Sequence, residues 1–135
     1  MVRAVLIESN PLLRQTLKDI FDGRFSSIDF ILASNGANAM EKFETFPPDL
    51  ILINMKLPGE DSLDVTRKIK KRYPGAIIIM ISSYDFPEYR EAASRHGADY
   101  LISKNSPIDD YFSLIKFILT DRGLDSEGPN RGAKS

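Results

Sequence analysis

Residues 48–64 read PDLILINMKLPGEDSLD. The apolar run Leu50–Ile53 has no polar side chain at alternate positions, so it predicts a central strand covered on both faces rather than a half-exposed one. Asn54 follows the run directly, and Leu57-Pro58-Gly59 predicts a turn before a helix that opens near Ser62. This strand–turn–helix unit is the pattern that recurs along the rest of the chain.

Four further apolar runs have strand character, and helical signals separate them. The predicted strands are Val2–Ile7, Ile28–Ala33, Leu50–Ile53, Ala76–Ile81 and Tyr100–Ile102. The predicted helices begin at Asn10-Pro11, near Ala37, at Ser62, near Pro87 and at Ser106-Pro107. Apolar spacing places Leu13, Leu17, Ile20 and Phe21 on the inner face of the first helix.

Strict alternation of strands and helices predicts an α/β fold of the (βα)5 type, a three-layer sandwich with a doubly wound parallel sheet. Ligands of such sheets bind at the carboxyl ends of the strands. The polar residues at those ends are Glu8 and Ser9, then Asn54, Ser82 and Lys104. We expect these side chains to converge in one crevice.

Composition bounds the class of protein. The chain has 135 residues, no cysteine, one histidine (His96) and a formal net charge of -1. These values exclude disulfide frameworks, thiolate metal sites and a cysteine nucleophile, and they argue against a basic nucleic-acid-binding domain. No apolar run approaches the length of a membrane span and no signal peptide is evident, so we expect a cytoplasmic protein without membrane contact. We expect one domain over residues 1–121 and a disordered tail over residues 122–135.

Four segments together resemble the receiver domain of two-component response regulators, over residues 2–120. They are VLIESNPLLR (5–14), PDLILINMKLPGEDSLD (48–64), IIIMISS (77–83) and GADYLISK (97–104). The resemblance implies the flavodoxin-like fold of the CheY type, with strand order 2-1-3-4-5.

The resemblance also implies roles for the residues at the strand ends. Ser82 and Lys104 match the positions that sense and pair with a phosphoryl group, and Asn54 stands where the family has its phosphoacceptor aspartate. The positions that would hold Mg²⁺ are Glu8, Ser9, Asn54 and Lys56, of which only Glu8 keeps an acidic charge. Two smaller departures are Leu101, where the family often has an aromatic residue, and Asn105, where it usually has proline.

A carboxamide is a poor nucleophile, so Asn54 is not expected to form an acyl phosphate. Glu8 against Lys104 leaves the crevice nearly neutral, and we therefore expect any Mg²⁺ binding to be weak and no cofactor to be firmly held. We expect Lys104 to pair with Glu8 or with the Asn54 oxygen, which would fix the pocket without phosphate.

The resulting expectation is a receiver-like signalling module that is not an enzyme and acts by protein–protein contact. Its expected partners are a histidine kinase, a phosphotransfer protein or another signalling protein. The surface of helix 4, strand 5 and helix 5 is the candidate for a homodimer. One alternative is a phosphorelay receiver that is modified, or binds a kinase, by another route. Another is a flavodoxin-like cofactor-binding enzyme, although the Glu8–Leu13 loop has no glycine to cradle a phosphate.

Overall fold

Strands and helices alternate along residues 1–124, which are the residues that the computed structural model describes. The strands are β1 (Val2–Ile7), β2 (Ile28–Ala33), β3 (Leu50–Asn54), β4 (Ile77–Ser82) and β5 (Tyr100–Ser103). The helices are α1 (Pro11–Arg24), α2 (Gly36–Phe43), α3 (Ser62–Arg72), α4 (Pro87–Arg95) and α5 (Ile108–Asp121). The predicted (βα)5 alternation is confirmed.

The sheet is parallel throughout, in the order β2-β1-β3-β4-β5. The chain order reverses at β1 and β3, which is where the carboxyl ends of two adjacent strands leave a crevice between diverging helices. Asn54 lies in register with Ile81 of β4, and Ser82 lies in register with Ser103 of β5. This topology confirms the predicted doubly wound sheet and its strand order.

The core consists of two layers, one on each face of the sheet. The first joins the sheet to α1 and α5 through residues such as Phe21, Tyr111 and Ile115. The second joins it to the other three helices through residues such as Phe43 and Ile69. All residues of β3 and β4 are buried, as their unbroken apolar runs predicted.

Side-chain caps fix where α1 and α3 begin. The Asn10 carboxamide oxygen accepts hydrogen bonds from the backbone N–H groups of Leu12 and Leu13, so the predicted helix start at Asn10-Pro11 is confirmed. Asp61 caps α3 in the same way.

Glycines fix where α4 and α5 end. Gly97 (φ 103°) and Gly123 (φ 67°) adopt left-handed conformations in Schellman motifs. In the first, Ala98 N–H donates to the Ala93 carbonyl, and in the second Leu124 N–H donates to the Leu119 carbonyl. The Schellman turn at Gly97 sets the direction in which the chain enters β5.

The structure differs from the sequence predictions at Ile20 and at residues 122–124. Ile20 is 38% exposed, not inward, because α1 buries a narrower stripe centred on Phe21. Of the predicted tail, residues 122–124 close α5, with Leu124 packed against the core, and residues 125–135 lie outside the described residues. Within residues 1–124, no helix has the length and apolar character of a membrane span.

Candidate functional site

At the carboxyl edge of the sheet, three of the five predicted polar residues line one cavity, and Ser9 lines neither that cavity nor its neighbour. Glu8, Asn54 and Lys104 line one cavity of about 190 Å³ between α1 and α5. Ser82 lies beside it and lines a neighbouring pocket with Lys56. Parallel strands end on the same edge, so this grouping follows from the strand order.

The site is built around a hydrogen bond between Glu8 and Asn54. The Asn54 carboxamide nitrogen donates to Glu8 Oε1 over 2.6 Å. Both residues are buried, with exposed fractions of 4% for Glu8 and 8% for Asn54. A buried carboxylate is costly without partners, and here the amide supplies one.

The orientation of the Asn54 carboxamide is fixed from both sides. Its oxygen accepts the Lys56 backbone N–H over 2.9 Å, while its nitrogen faces the carboxylate of Glu8. A flipped amide would place its oxygen against a carboxylate and its nitrogen against an N–H donor, so the partners allow one assignment. The amide therefore presents a donor where an aspartate would present an acceptor.

The second oxygen of Glu8 is also engaged. Glu8 Oε2 accepts the Asn10 backbone N–H over 2.8 Å, which ties the carboxylate to the start of α1. Both carboxylate oxygens thus already accept a hydrogen bond from the protein.

Arg14 contributes to the site although sequence reasoning did not single it out. Its guanidinium donates to the Glu8 carbonyl over 2.7 Å and lies 3.4 Å from the Ser9 carbonyl. An arginine one turn inside a helix carries no sequence signal for such a role. The contact holds the β1–α1 loop through its backbone.

Ser82 is fully buried and its hydroxyl is used locally. The hydroxyl oxygen accepts the Tyr84 backbone N–H over 3.0 Å. The Ser82 carbonyl accepts the Lys104 backbone N–H over 2.7 Å, which ties the end of β4 to the residue after β5.

The expected pairing of Lys104 is wrong. Its side chain is exposed, and within residues 1–124 its ammonium has neither a hydrogen bond nor an ion pair. Its two expected partners are hydrogen-bonded within the pocket, Glu8 Oε1 to the Asn54 amide and the Asn54 oxygen to the Lys56 N–H, while the Lys104 side chain is exposed to solvent. The hydrogen bonds that join the pocket residues are made by Asn54 rather than by Lys104.

The donor set at the predicted Mg²⁺ positions does not fit a hard dication. Magnesium is usually held through one or two carboxylates with several waters and phosphate oxygens. Here Glu8 is the single carboxylate, Ser9 offers a neutral hydroxyl, and Asn54 aims its NH₂ group at Glu8. Lys56 adds no acidic group. Among the described residues, no cluster of three or more Asp, Glu, His or Cys side chains is placed to hold a metal.

Glu60 connects the loop after β3 to α2. Its carboxylate accepts the backbone N–H groups of Gly36 over 2.7 Å and Ala37 over 3.3 Å. A carboxylate at a helix start satisfies free N–H groups and complements the helix dipole. A Cβ at position 36 would lie 2.7 Å from the Val65 side chain, so the close approach of α2 to α3 at this point requires glycine.

The β4–α4 loop exposes a small aromatic cluster. Tyr84 and Phe86 are 50% and 55% exposed, and the Tyr84 ring stacks on both Phe86 and Tyr89.

Leu101, the departure that lies on β5, and its neighbour Tyr100 lie on different faces of the sheet. Leu101 packs in the layer of α2, α3 and α4, and its neighbour Tyr100 packs in the layer of α1 and α5. Strand residues alternate in direction, so Tyr100 does not substitute for an aromatic at position 101.

Helix α3 carries a run of five basic side chains, three of which form ion pairs; the run comprises Arg67, Lys68, Lys70, Lys71 and Arg72. Arg67 and Lys68 pair with Asp64, which lowers the pKa of the Asp64 carboxyl, chiefly through the Lys68 hydrogen bond. Lys70 pairs with Asp99 over 2.8 Å. Two carboxylates thus face five basic side chains, so the run keeps a net positive charge.

Comparison with known proteins gives one consistent family. Residues 4–116 match the family model described as the response regulator receiver domain. The chemotaxis protein CheY of Halobacterium salinarum is 30% identical over 118 residues, which are 87% of this chain and 97% of that protein. The Fimbriae Z protein of Salmonella typhimurium is 27% identical over 117 residues, covering 86% of this chain but 55% of that protein. The chain therefore spans about half the length of some curated relatives.

Solved structures agree with the sequence matches. A two-component response regulator from Clostridium difficile superposes with a TM-score of 0.81 at 21% identity, covering 89% of this chain and 97% of the other. The response regulator TrrA from Thermotoga maritima, solved in complex with Mg²⁺ and BeF, has a TM-score of 0.76 at 28% identity, covering 88% of this chain and all of the other.

Proposed function

The chain belongs to the response regulator receiver domain family, and we propose that it is an atypical member that is not phosphorylated at the usual position and acts by protein–protein contact. Its place in two-component signal transduction follows from the family. What is proposed is the mode of action.

The observation that carries the proposal is the Asn54 carboxamide bound between Glu8 and the Lys56 N–H. A carboxamide lacks the negative charge and nucleophilicity of a carboxylate. Phosphoryl transfer also depends on a metal that neutralises the developing charge, and the residues here offer that metal a single carboxylate. The acceptor and the metal site are thus impaired by the same side chain.

The partners follow from the family rather than from this geometry. Receiver domains interact with histidine kinases and phosphotransfer proteins, and we propose one of these, or another signalling protein, as the partner here. A homodimer through α4, β5 and α5 belongs to the same proposal, and light scattering coupled to size-exclusion chromatography tests it. Contact with such partners requires no catalysis, so we propose no enzymatic activity.

Acetyl phosphate tests the mode of action directly. The purified chain is incubated with acetyl phosphate and Mg²⁺ and then weighed by intact mass spectrometry. We expect no stoichiometric gain of a phosphoryl group. The double variant Ser9→Asp with Asn54→Asp should gain one, because it restores a nucleophile and a second carboxylate for the metal.

The variant Asn54→Ala distinguishes the remaining outcomes. A phosphoryl gain that disappears in this variant would overturn the proposal, since it would place the group on Asn54. A gain that persists would locate the acceptor at another residue, which is the alternative phosphorelay role.

A further inference from the structure

The cavity between α1 and α5 combines three features in one space. Glu8, Asn54 and Lys104 form its polar end. Its walls are mainly apolar side chains, contributed by Leu13, Leu17, Ile81, Ile108 and the ring of Tyr111. Its volume of about 190 Å³ corresponds to roughly six water molecules at ~30 Å³ each.

The polar end holds one carboxylate, on Glu8, and one ammonium, on Lys104, so it is nearly neutral, and Lys104 is the group there that can pair with an anion. Lys104 has no bonded partner within residues 1–124, so its ammonium can donate to a ligand. Glu8 has both oxygens engaged as acceptors, and Asn54 is neutral. An aspartate at position 54 would add a second negative charge and repel an anion.

The walls favour an apolar body behind the anionic group. Leu13 and Leu17 are half-buried, and Ile108 is 36% exposed at the rim. A hydrocarbon group that covers these side chains removes their apolar surface from water, whereas an inorganic anion would leave that surface exposed to water. Ser106 adds a hydroxyl to the lining, whereas the Tyr111 hydroxyl already donates to the Ser103 carbonyl.

We propose that this cavity binds a small organic carboxylate with an apolar aryl or branched-alkyl body, whose carboxylate is held by Lys104. The inference rests on the proposed function, because a phosphoryl group in the pocket would pair with the Lys104 ammonium and leave none for a carboxylate ligand. A bound carboxylate would bridge the start of α1 to the start of α5 beside the Glu8–Asn54 pair. The ligand would thereby supply a signal that the missing phosphoryl group cannot.

Phenylacetate and isovalerate serve as probes, with acetate, inorganic phosphate and neutral phenylacetamide as controls. Titration followed by amide NMR should show saturable shifts for the first two probes, centred on Leu13, Leu17 and Ile108. The three controls should bind at least about tenfold more weakly, which corresponds to ~1.4 kcal/mol. Binding to the folded state should also raise the melting temperature.

Two variants locate the contact. Lys104→Gln should weaken phenylacetate binding at least about tenfold, whereas Lys116→Gln, which removes the same charge from an exposed position on α5, should leave it unchanged. Leu17→Phe should fill part of the cavity and weaken binding while Lys104 is retained.

The proposal is overturned if neither carboxylate binds saturably, if Lys104→Gln binds as well as the parent chain, or if phenylacetamide binds equally. Before the titration, intact mass spectrometry verifies that the protein carries no phosphoryl group. Failure of carboxylate binding would leave the acetyl phosphate result untouched, so the two proposals fail separately.

Discussion

At the residue scale, Asn54 replaces a repulsive pair of carboxylates with an attractive amide–carboxylate contact. The nitrogen of Asn54 lies 2.6 Å from Glu8 Oε1, at a point where an aspartate oxygen would face another anion. Burial strengthens either effect, since both residues are largely removed from water. One substitution therefore changes both the chemistry and the stability of the pocket.

Asn54→Asp tests this balance. We expect the free energy of unfolding at neutral pH to fall by roughly 1–3 kcal/mol without metal, because the hydrogen bond is lost and two buried carboxylates repel each other. Added Mg²⁺ should recover part of the loss by binding the folded state. Urea denaturation with and without MgCl₂ measures both effects.

Asn54→Ala is the matched control for that experiment. It removes the hydrogen bond without adding a charge, so Mg²⁺ should not stabilise it. An Asn54→Asp variant as stable as the parent chain without metal would contradict the electrostatic account.

The position of Asn54 could be read from the sequence, but its partner could not. The buried run Leu50–Ile53 placed residue 54 at the carboxyl edge, whatever its identity. Whether the Asn54 oxygen binds Lys104 or the Lys56 N–H depends on the backbone conformation of the turn that follows β3. Apolar periodicity does not indicate which hydrogen bond a polar side chain makes, and an Asn oxygen that accepts the N–H two residues on is a common turn geometry. The predicted Lys104 contact was therefore wrong.

At the element scale, boundaries set by turn chemistry were predictable from sequence. The residue pairs Asn10-Pro11 and His96-Gly97 marked a helix start and a helix end that the structure places within a residue or two. Ile20 was misplaced because helical spacing defines a stripe, while the width of the stripe depends on which element packs against it.

Gly97→Ala tests the α4–β5 junction. Gly97 has φ 103°, and an added Cβ would lie 3.0 Å from Lys70 Cβ and Cγ. We expect the free energy of unfolding to fall by about 1–3 kcal/mol, because a left-handed conformation is strained for alanine and the contact is tight. Chemical denaturation monitored by circular dichroism measures the change.

Gly23→Ala is the control at a helical glycine. An added Cβ there meets nothing within 4 Å, so stability should rise by up to about 1 kcal/mol through helix propensity. Equal effects of the two variants would contradict the assignment of strain to Gly97.

At the scale of the whole molecule, the pH dependence of stability contains a contribution from Tyr111. Burial raises the pKa of the Tyr111 phenol, whose hydroxyl donates to the Ser103 carbonyl over 3.1 Å. The folded state then holds the proton more tightly than the unfolded state does. The contribution is fully present below the unfolded pKa of about 10 and is lost as pH rises through the higher folded value.

Tyr111→Phe should remove this dependence. The variant should lose about 1 kcal/mol at neutral pH with the hydrogen bond. Its free energy of unfolding should then fall less steeply above pH ~10 than that of the parent chain. Urea denaturation at neutral and alkaline pH compares the slopes, and parallel slopes would contradict the assignment.

Glu60 joins the loop between β3 and α3 to α2, a helix that does not line the cavity between α1 and α5. Because its carboxylate holds the first amides of α2, a shift of that loop would release those amides to solvent. The rate of deuterium uptake at the Gly36 amide therefore reports motion of the loop that follows Asn54. The measurement requires no substitution in the crevice.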